Sequence, residues 1–264
     1  MIARSIFKEL KLPIAREKGR LPIFFDFTLG NFPAEFKLPQ FIHDVVSQTS
    51  DTIDGIILSP QSLPDTGLMG GKEIWVRADW TSALLPTNWG EKEPVVPLIN
   101  PRYWAQRGIS GVVGTLLLGN SSSNEADNIQ HLASLRSQSL DIGLPMAIDL
   151  HVLKEGEDGE SFIEIVELGL NLAVELGCDM VIVPREDCLA SNQNIAKIAE
   201  LPVLARQSLN NFTSEDQPSE SWKTLFVKMD GIIFTDIHQW KQLIDNPRIL
   251  QMGMKLLEIQ PVGG

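Results

Sequence analysis

GVVGTLLLGNSSSNEADNIQHLASLRSQSLDIGLPMAIDLH, residues 111–151, reads as one strand–helix–strand unit. Its first nine residues are almost wholly apolar, as in a strand buried on both faces. SSNEADNIQHLASLRSQSLDIG then carries helical spacing, with Ser122 or Ser123 as N-cap and Gly143 as the stop. PMAIDLH (145–151) is a second strand of the first kind. Two such strands joined through a helix form a parallel pair.

The same alternation extends in both directions. Upstream lie PIFFDF (22–27), GIILSP (55–60) and EIWVRADW (73–80); downstream lie DMVIVP (179–184), PVLARQS (202–208) and GIIFTDIH (231–238). Between the fifth and sixth strands, SFIEIVELGLNLAVELG places Ile163, Val166, Leu170, Ala173 and Val174 on one helical face and ends at Gly177. Eight strands alternating with helices in 264 residues is the count of a (β/α)8 TIM barrel, an α/β fold, occupying 1–264 as one domain after a short helix at 3–10. A doubly wound sheet is the alternative, but no glycine-rich phosphate loop follows the first strand. The irregular stretches 81–97 and 209–221 follow strand C-termini, the face on which such barrels build active sites.

Bulk composition narrows the function classes. Acidic residues outnumber basic ones 34 to 22, a net charge of −12, which repels nucleic-acid phosphates and anionic membranes. A small-molecule substrate is the expected partner, with no nucleic acid and no membrane. The first twenty residues mix charges without the apolar run of a signal peptide, and no window approaches the ~18 apolar residues of a spanning helix. Two cysteines, Cys178 and Cys188, exclude a disulfide framework and suit a reducing cytoplasm.

Polar residues gather at the strand C-termini: Asp26, Arg77 with Asp79, Asp149 with His151, Arg185, Arg206, and Asp236 with His238. Residues two apart on a strand face the same way, so three strand ends each offer two polar groups to one mouth. Asp26, Asp149 and His151 are the candidate catalytic groups. His151 beside a same-facing carboxylate has the fixed tautomer of a general base, although a solvated loop histidine has the same sequence signature. Arg77, Asp79, Arg185, Arg206, Asp236 and His238 are the candidate substrate contacts. The arginines would clamp a carboxylate or phosphate, or else serve as counterions to the acids beside them. Magnesium on Asp26, Asp79, Asp149 or Asp236 is chemically open, but only two of the four histidines stand at strand ends; the expectation is no metal and no cofactor.

GISGVVGTLLLG, GLPMAIDLH, VELGLNLAVELGCDMVIV, IAKIAELPVLA and MDGIIFTDI, with PIFFDFTLG at the start, together resemble the DhnA-type class I fructose-bisphosphate aldolase family. The resemblance implies a barrel, a homo-oligomer, and Schiff-base chemistry on a sugar-like phosphate. It also implies a lysine at the end of the sixth strand, where anchoring on Gly177 and Asp179 puts Ile182. No lysine occurs from 155 to 196, and isoleucine has no amine with which to form an imine. The family's strand-4 tyrosine is missing too. In place of its phosphate-binding glycines stand Ala205-Arg206-Gln207 and Thr235-Asp236-Ile237.

Three functions follow as expectations. The first is an aldolase-like carbon–carbon lyase that works by acid/base chemistry on a small non-phosphorylated carbonyl or carboxylate compound, with Lys154 as a relocated amine only if an imine persists. The second is a catalytically silent subunit serving as partner or scaffold. The third is a small-ligand sensor.

Overall fold

A computed structural model describes residues 22–28, 38–48, 53–63, 72–81, 95–119, 121–153, 162–184, 201–207 and 231–235. Eight parallel strands close a barrel: β1 (Ile23–Asp26), β2 (Gly55–Leu58), β3 (Glu73–Arg77), β6 (Gly111–Leu118), β7 (Met146–Val152), β8 (Met180–Val183), β9 (Val203–Gln207) and β10 (Gly231–Phe234). Around the barrel the order is β1, β10, β9, β8, β7, β6, β3, β2, so the chain winds once and the last strand pairs with the first. The (β/α)8 expectation is thereby met, strand for strand.

The apolar runs are long because each strand is covered twice. Outward side chains such as Phe25, Val76, Val112, Ile148 and Val181 pack with the helices. Inward ones (Phe24, Ile57, Trp75, Val113, Ala147, Met180, Ile182, Leu204, Ile233) fill the lumen. The two largest lumenal rings need missing side chains opposite them. A Cβ on Gly111 would stand 2.5 Å from Trp75 Cζ3, and one on Gly55 would overlap the Phe24 ring. The Trp75 indole Nε1 donates to Glu73 Oε2 at 3.1 Å, which satisfies its one donor.

Among the described residues the α-helices are α1 (Leu38–Gln48), α2 (Pro101–Ala105), α3 (Ser122–Leu140) and α4 (Phe162–Glu175). The α3 N-cap is Ser121, one residue before the expected pair; its Oγ accepts from Asn124 N–H. Gly143 ends that helix at φ 68°, with Leu144 N–H bonded to Ser139 O, and Gly177 repeats the device at φ 70° after α4. On α4 the buried face is Ile165, Val166, Gly169, Leu170 and Ala173; Ile163 and Val174 are only partly covered. No helix of the described residues is long and apolar enough to cross a membrane. The expected helix at 3–10 and most of 81–97 and 209–221 lie outside the described residues.

The third strand is shorter than its apolar run suggests. It ends at Arg77, and Asp79–Trp80 (β4) pairs antiparallel with Val96–Pro97 (β5) in a small separate ribbon. β6 therefore runs past the end of β3, leaving one edge without a strand partner beyond Val113. Side chains finish the ladder. Asp79 Oδ2 accepts from Thr115 N–H at 2.8 Å, while Asn128 of α3 donates to Thr115 O at 2.8 Å and accepts from Leu117 N–H at 2.9 Å.

At the opposite, N-terminal face of the barrel, Arg136 of α3 bonds Asp179 at 2.7 Å, and Asp179 Oδ2 also accepts from Met146 N–H at 3.0 Å. This clip ties α3 to the starts of β7 and β8, on the face that carries stability in barrels.

Candidate functional site

The lumen changes character one layer above Ile182. Register sets Asp149 beside Ile182, and Ile182 beside Leu204, so two aliphatic side chains lie next to a carboxylate. Two residues further along β9, Arg206 reaches back over β8 and its Nη2 donates to Asp149 Oδ1. The pair bridges β7 to β9 above Ile182.

Asp149 is fully buried and has three partners. Arg206 holds one oxygen; the other accepts from Arg77 Nη2 at 2.8 Å and faces His151 Nε2 at 3.0 Å. Arg77 also donates from Nη2 to Asp26 Oδ2 at 2.9 Å. Its remaining nitrogens turn to two hydroxyls, Nε to Thr28 Oγ1 at 2.7 Å and Nη1 to Thr115 Oγ1 at 3.1 Å. Each threonine passes the bond on, Thr28 to Asp26 Oδ1 and Thr115 to Asp79 Oδ1 at 2.7 Å. The result is a chain of alternating sign, Asp26–Arg77–Asp149–Arg206, with Asp79 joined through a hydroxyl.

This charge pattern sets protonation states. Burial opposes ionisation of Asp149, but the Arg206 and Arg77 charges, with the hydrogen bond from His151, hold its carboxyl well below the usual carboxylate range. Arg77 stays charged because the carboxylates of Asp26, Asp149 and Asp79 outweigh the burial that would discharge it. Burial pushes the His151 imidazole below its ordinary value; Asp149 pulls the other way, and Arg206 and Arg77 add to the depression. His151 is therefore neutral at pH 7.

The tautomer follows from the neighbours. The ionised Asp149 accepts only, so the Nε2 facing it carries the hydrogen and Nδ1 carries the lone pair. Arg206 Nη1 lies 3.3 Å from Nδ1 and 3.2 Å from Nε2. An in-plane approach that near to both nitrogens would collide with Cε1, so Nη1 sits over the ring face, and among the described residues the in-plane Nδ1 lone pair has no partner. Side-chain exposure of 11% for His151 and 12% for Arg206 puts this pair at the opening, above fully buried Asp26 and Asp149. Arg206 Nε is buried and has no hydrogen-bond partner among the described residues.

Of the sequence-predicted residues, Asp26, Arg77, Asp79, Asp149, His151 and Arg206 thus meet in one network. Asp79 joins it from β4 rather than as a continuation of β3. Arg185, Asp236, His238 and Lys154 lie outside the described residues. Sequence reasoning passed over Thr28, Thr115 and His131. The threonines are unremarkable in strand-like segments, although Thr115 is the one hydroxyl in GVVGTLLLG. His131 is a helix residue whose Nε2 comes within 3.4 Å of Asp79 Oδ2. Among the described residues no three His, Cys, Asp or Glu side chains converge as metal ligands; Arg77 fills the space between Asp26 and Asp149.

No family model matches the chain. Over 111 residues, 41% of this chain and 41% of the relative's length, the sequence is 29% identical to an uncharacterized aldolase of Saccharolobus solfataricus. The aligned stretch thus spans less than half of that relative. One similar solved structure is an archaeal fructose-1,6-bisphosphate aldolase with its catalytic lysine covalently bound to the carbinolamine intermediate of the substrate. The TM-score is 0.66 and the identity 17%, over 97% of this chain and 99% of that one. Another is a fructose-bisphosphate aldolase from Slackia heliotrinireducens, TM-score 0.68 and 16% identical, over 96% and 91% of the two chains. The structural likeness establishes a common barrel, and the sequence match an aldolase-like relationship.

Proposed function

We propose that this chain is an aldolase-like carbon–carbon lyase acting on a small, non-phosphorylated carbonyl or carboxylate compound, with acid/base groups in place of an imine. The observation that carries this reading is His151, oriented by Asp149 through Nε2–H, with Nδ1 beside the Arg206 guanidinium and without an in-plane partner among the described residues. Aldol and retro-aldol reactions both pass through an enolate. A base must take a proton from the carbon next to the carbonyl or from a hydroxyl, and a donor must hold the oxygen that becomes negative. His151 Nδ1 supplies the first and Arg206 the second. Asp149 fixes the ring and stabilises the imidazolium once the proton has moved, as carboxylates do beside catalytic histidines.

The absence of imine chemistry rests on Ile182. Its side chain is inward and fully buried beside Asp149, and it has no nitrogen to offer. The cation of this layer is instead a guanidinium, which polarises a carbonyl by hydrogen bonding and does not condense with it.

The test is enolisation itself. Incubated with dihydroxyacetone or pyruvate in D2O, the protein exchanges carbon-bound hydrogen for deuterium, followed by proton NMR. His151→Gln slows this by about 10²- to 10⁴-fold, the range for a lost general base. Borohydride treatment with the same ketones leaves the protein mass unchanged; an adduct on Lys154 would overturn the imine-free route. No exchange above buffer would favour the silent-subunit reading, for which the pairing of both Arg77 and Arg206 with carboxylates as a structural brace already speaks.

A further inference from the structure

The network that positions His151 also constrains the charge of what binds there, an inference that rests on the proposed site. Asp26, Arg77, Asp149 and Arg206 are two carboxylates and two guanidiniums in alternation, so the four sum to zero. The next acid, Asp79, is reached through the Thr115 hydroxyl and has no arginine in direct contact among the described residues. With His151 neutral, the described groups offer an incoming anion no net attraction, while burial removes its hydration.

Geometry adds a second restriction. A carboxylate is usually gripped by two parallel N–H groups of one guanidinium. Arg206 has committed Nη2 to Asp149 and laid Nη1 over the His151 ring, which leaves Nε as its one buried donor without a partner among the described residues. One donor fits one oxygen. The lumenal residues nearest it in register, Ile182, Leu204 and Ile233, are aliphatic and fully buried.

We infer that the site takes a neutral aldehyde or ketone, whose single carbonyl oxygen accepts from Arg206 Nε–H, and disfavours carboxylates and phosphate esters. In the enolisation step the proton moves from the substrate carbon to His151 Nδ1, the C–H electron pair forms the enol double bond, and the carbonyl π pair moves onto the oxygen facing Nε–H. Charge is conserved, since the enolate and the imidazolium form together. A carboxylate substrate would add a second negative charge to a layer with no free cation among the described residues.

The experiment compares three ketone probes on the whole chain by NMR titration: dihydroxyacetone and pyruvate, which match in size, and dihydroxyacetone phosphate. Dihydroxyacetone is expected to bind on the order of tenfold more tightly than either anion. In Asp26→Asn the four groups sum to +1, and the preference is expected to narrow or reverse. Equal or tighter binding of pyruvate or of the phosphate ester by the unaltered chain would overturn the inference, as would binding of none of the three. The deuterium exchange above separates the two levels. Preference for the neutral ketone without exchange leaves the inference standing and removes the catalytic reading; exchange on tightly bound pyruvate does the reverse.

Discussion

Arg77→Met removes the one cation that stands between two fully buried carboxylates while roughly keeping side-chain volume. In the native protein Arg77 is 5% exposed, and its donors are taken up by Asp26, Asp149, Thr28 and Thr115. Without it, Asp26 and Asp149 share a layer with one guanidinium, and two threonine hydroxyls lose their donor. Deleting one partner of a buried pair costs about 3–5 kcal/mol, because the other charge stays behind unpaired. At roughly 2–4 °C per kcal/mol for a chain of this size, the melting temperature falls by roughly 6–20 °C. The pH dependence has a definite sign. Asp149 is held below its ordinary value in the fold, so its contribution is present above the ordinary carboxylate range and is lost as pH falls through the folded value. The variant therefore loses most at neutral pH, and the gap to the parent narrows below about pH 4. Arg77→Met with Asp26→Asn recovers part of the loss. Thermal unfolding followed by circular dichroism reads all three; a loss under about 1 kcal/mol, or one independent of pH, would refute the view of Arg77 as the keystone of the mouth.

Asn128→Leu strips both side-chain bonds from the edge of β6 that lacks a strand partner, leaving Leu117 N–H and Thr115 C=O unpaired in the interior. The expected cost is roughly 1–3 kcal/mol for each orphaned group, with faster hydrogen exchange at the Leu117 amide. Lowering the pH from about 7 to about 5 destabilises the protein partly through His151. Its folded value lies below the ordinary one, so the stabilisation is present above about pH 6.5 and is lost as pH falls through that value towards the folded one. Denaturant titrations of His151→Gln are expected to show a shallower loss over that interval.

The barrel was legible because burial on both faces of a parallel strand forces continuous apolar runs. GVVGTLLLG, MAIDL and MVIV announce themselves without reference to anything distant in the chain. Which polar strand ends matter was half legible: Asp149 and His151 two apart on one strand must share a face, and they do. The Asp149–Arg206 bridge could not be read, since it depends on which strands flank β8 and on the apolar side chain of Ile182 between them. Thr28 and Thr115 were invisible for a related reason, because a threonine's role in relaying an arginine's bonds to a carboxylate exists only once three strands are in register. The early end of β3 at Arg77 was missed as well. EIWVRADW has no glycine or proline, and what stops pairing is the departure of Asp79–Trp80 into the ribbon with Val96–Pro97.

The central claim is a neutral His151 with its hydrogen on Nε2 and its lone pair on Nδ1. Long-range proton–nitrogen NMR on histidine-labelled protein reads this directly, with His151→Gln supplying the assignment. The expected spectrum at about pH 7 shows an unprotonated Nδ1, a protonated Nε2, and a titration midpoint below the ordinary histidine value of about 6.5. A protonated Nδ1 at that pH, whether as the other tautomer or as imidazolium, would contradict the account, because the lumen would then hold no base where the chemistry needs one.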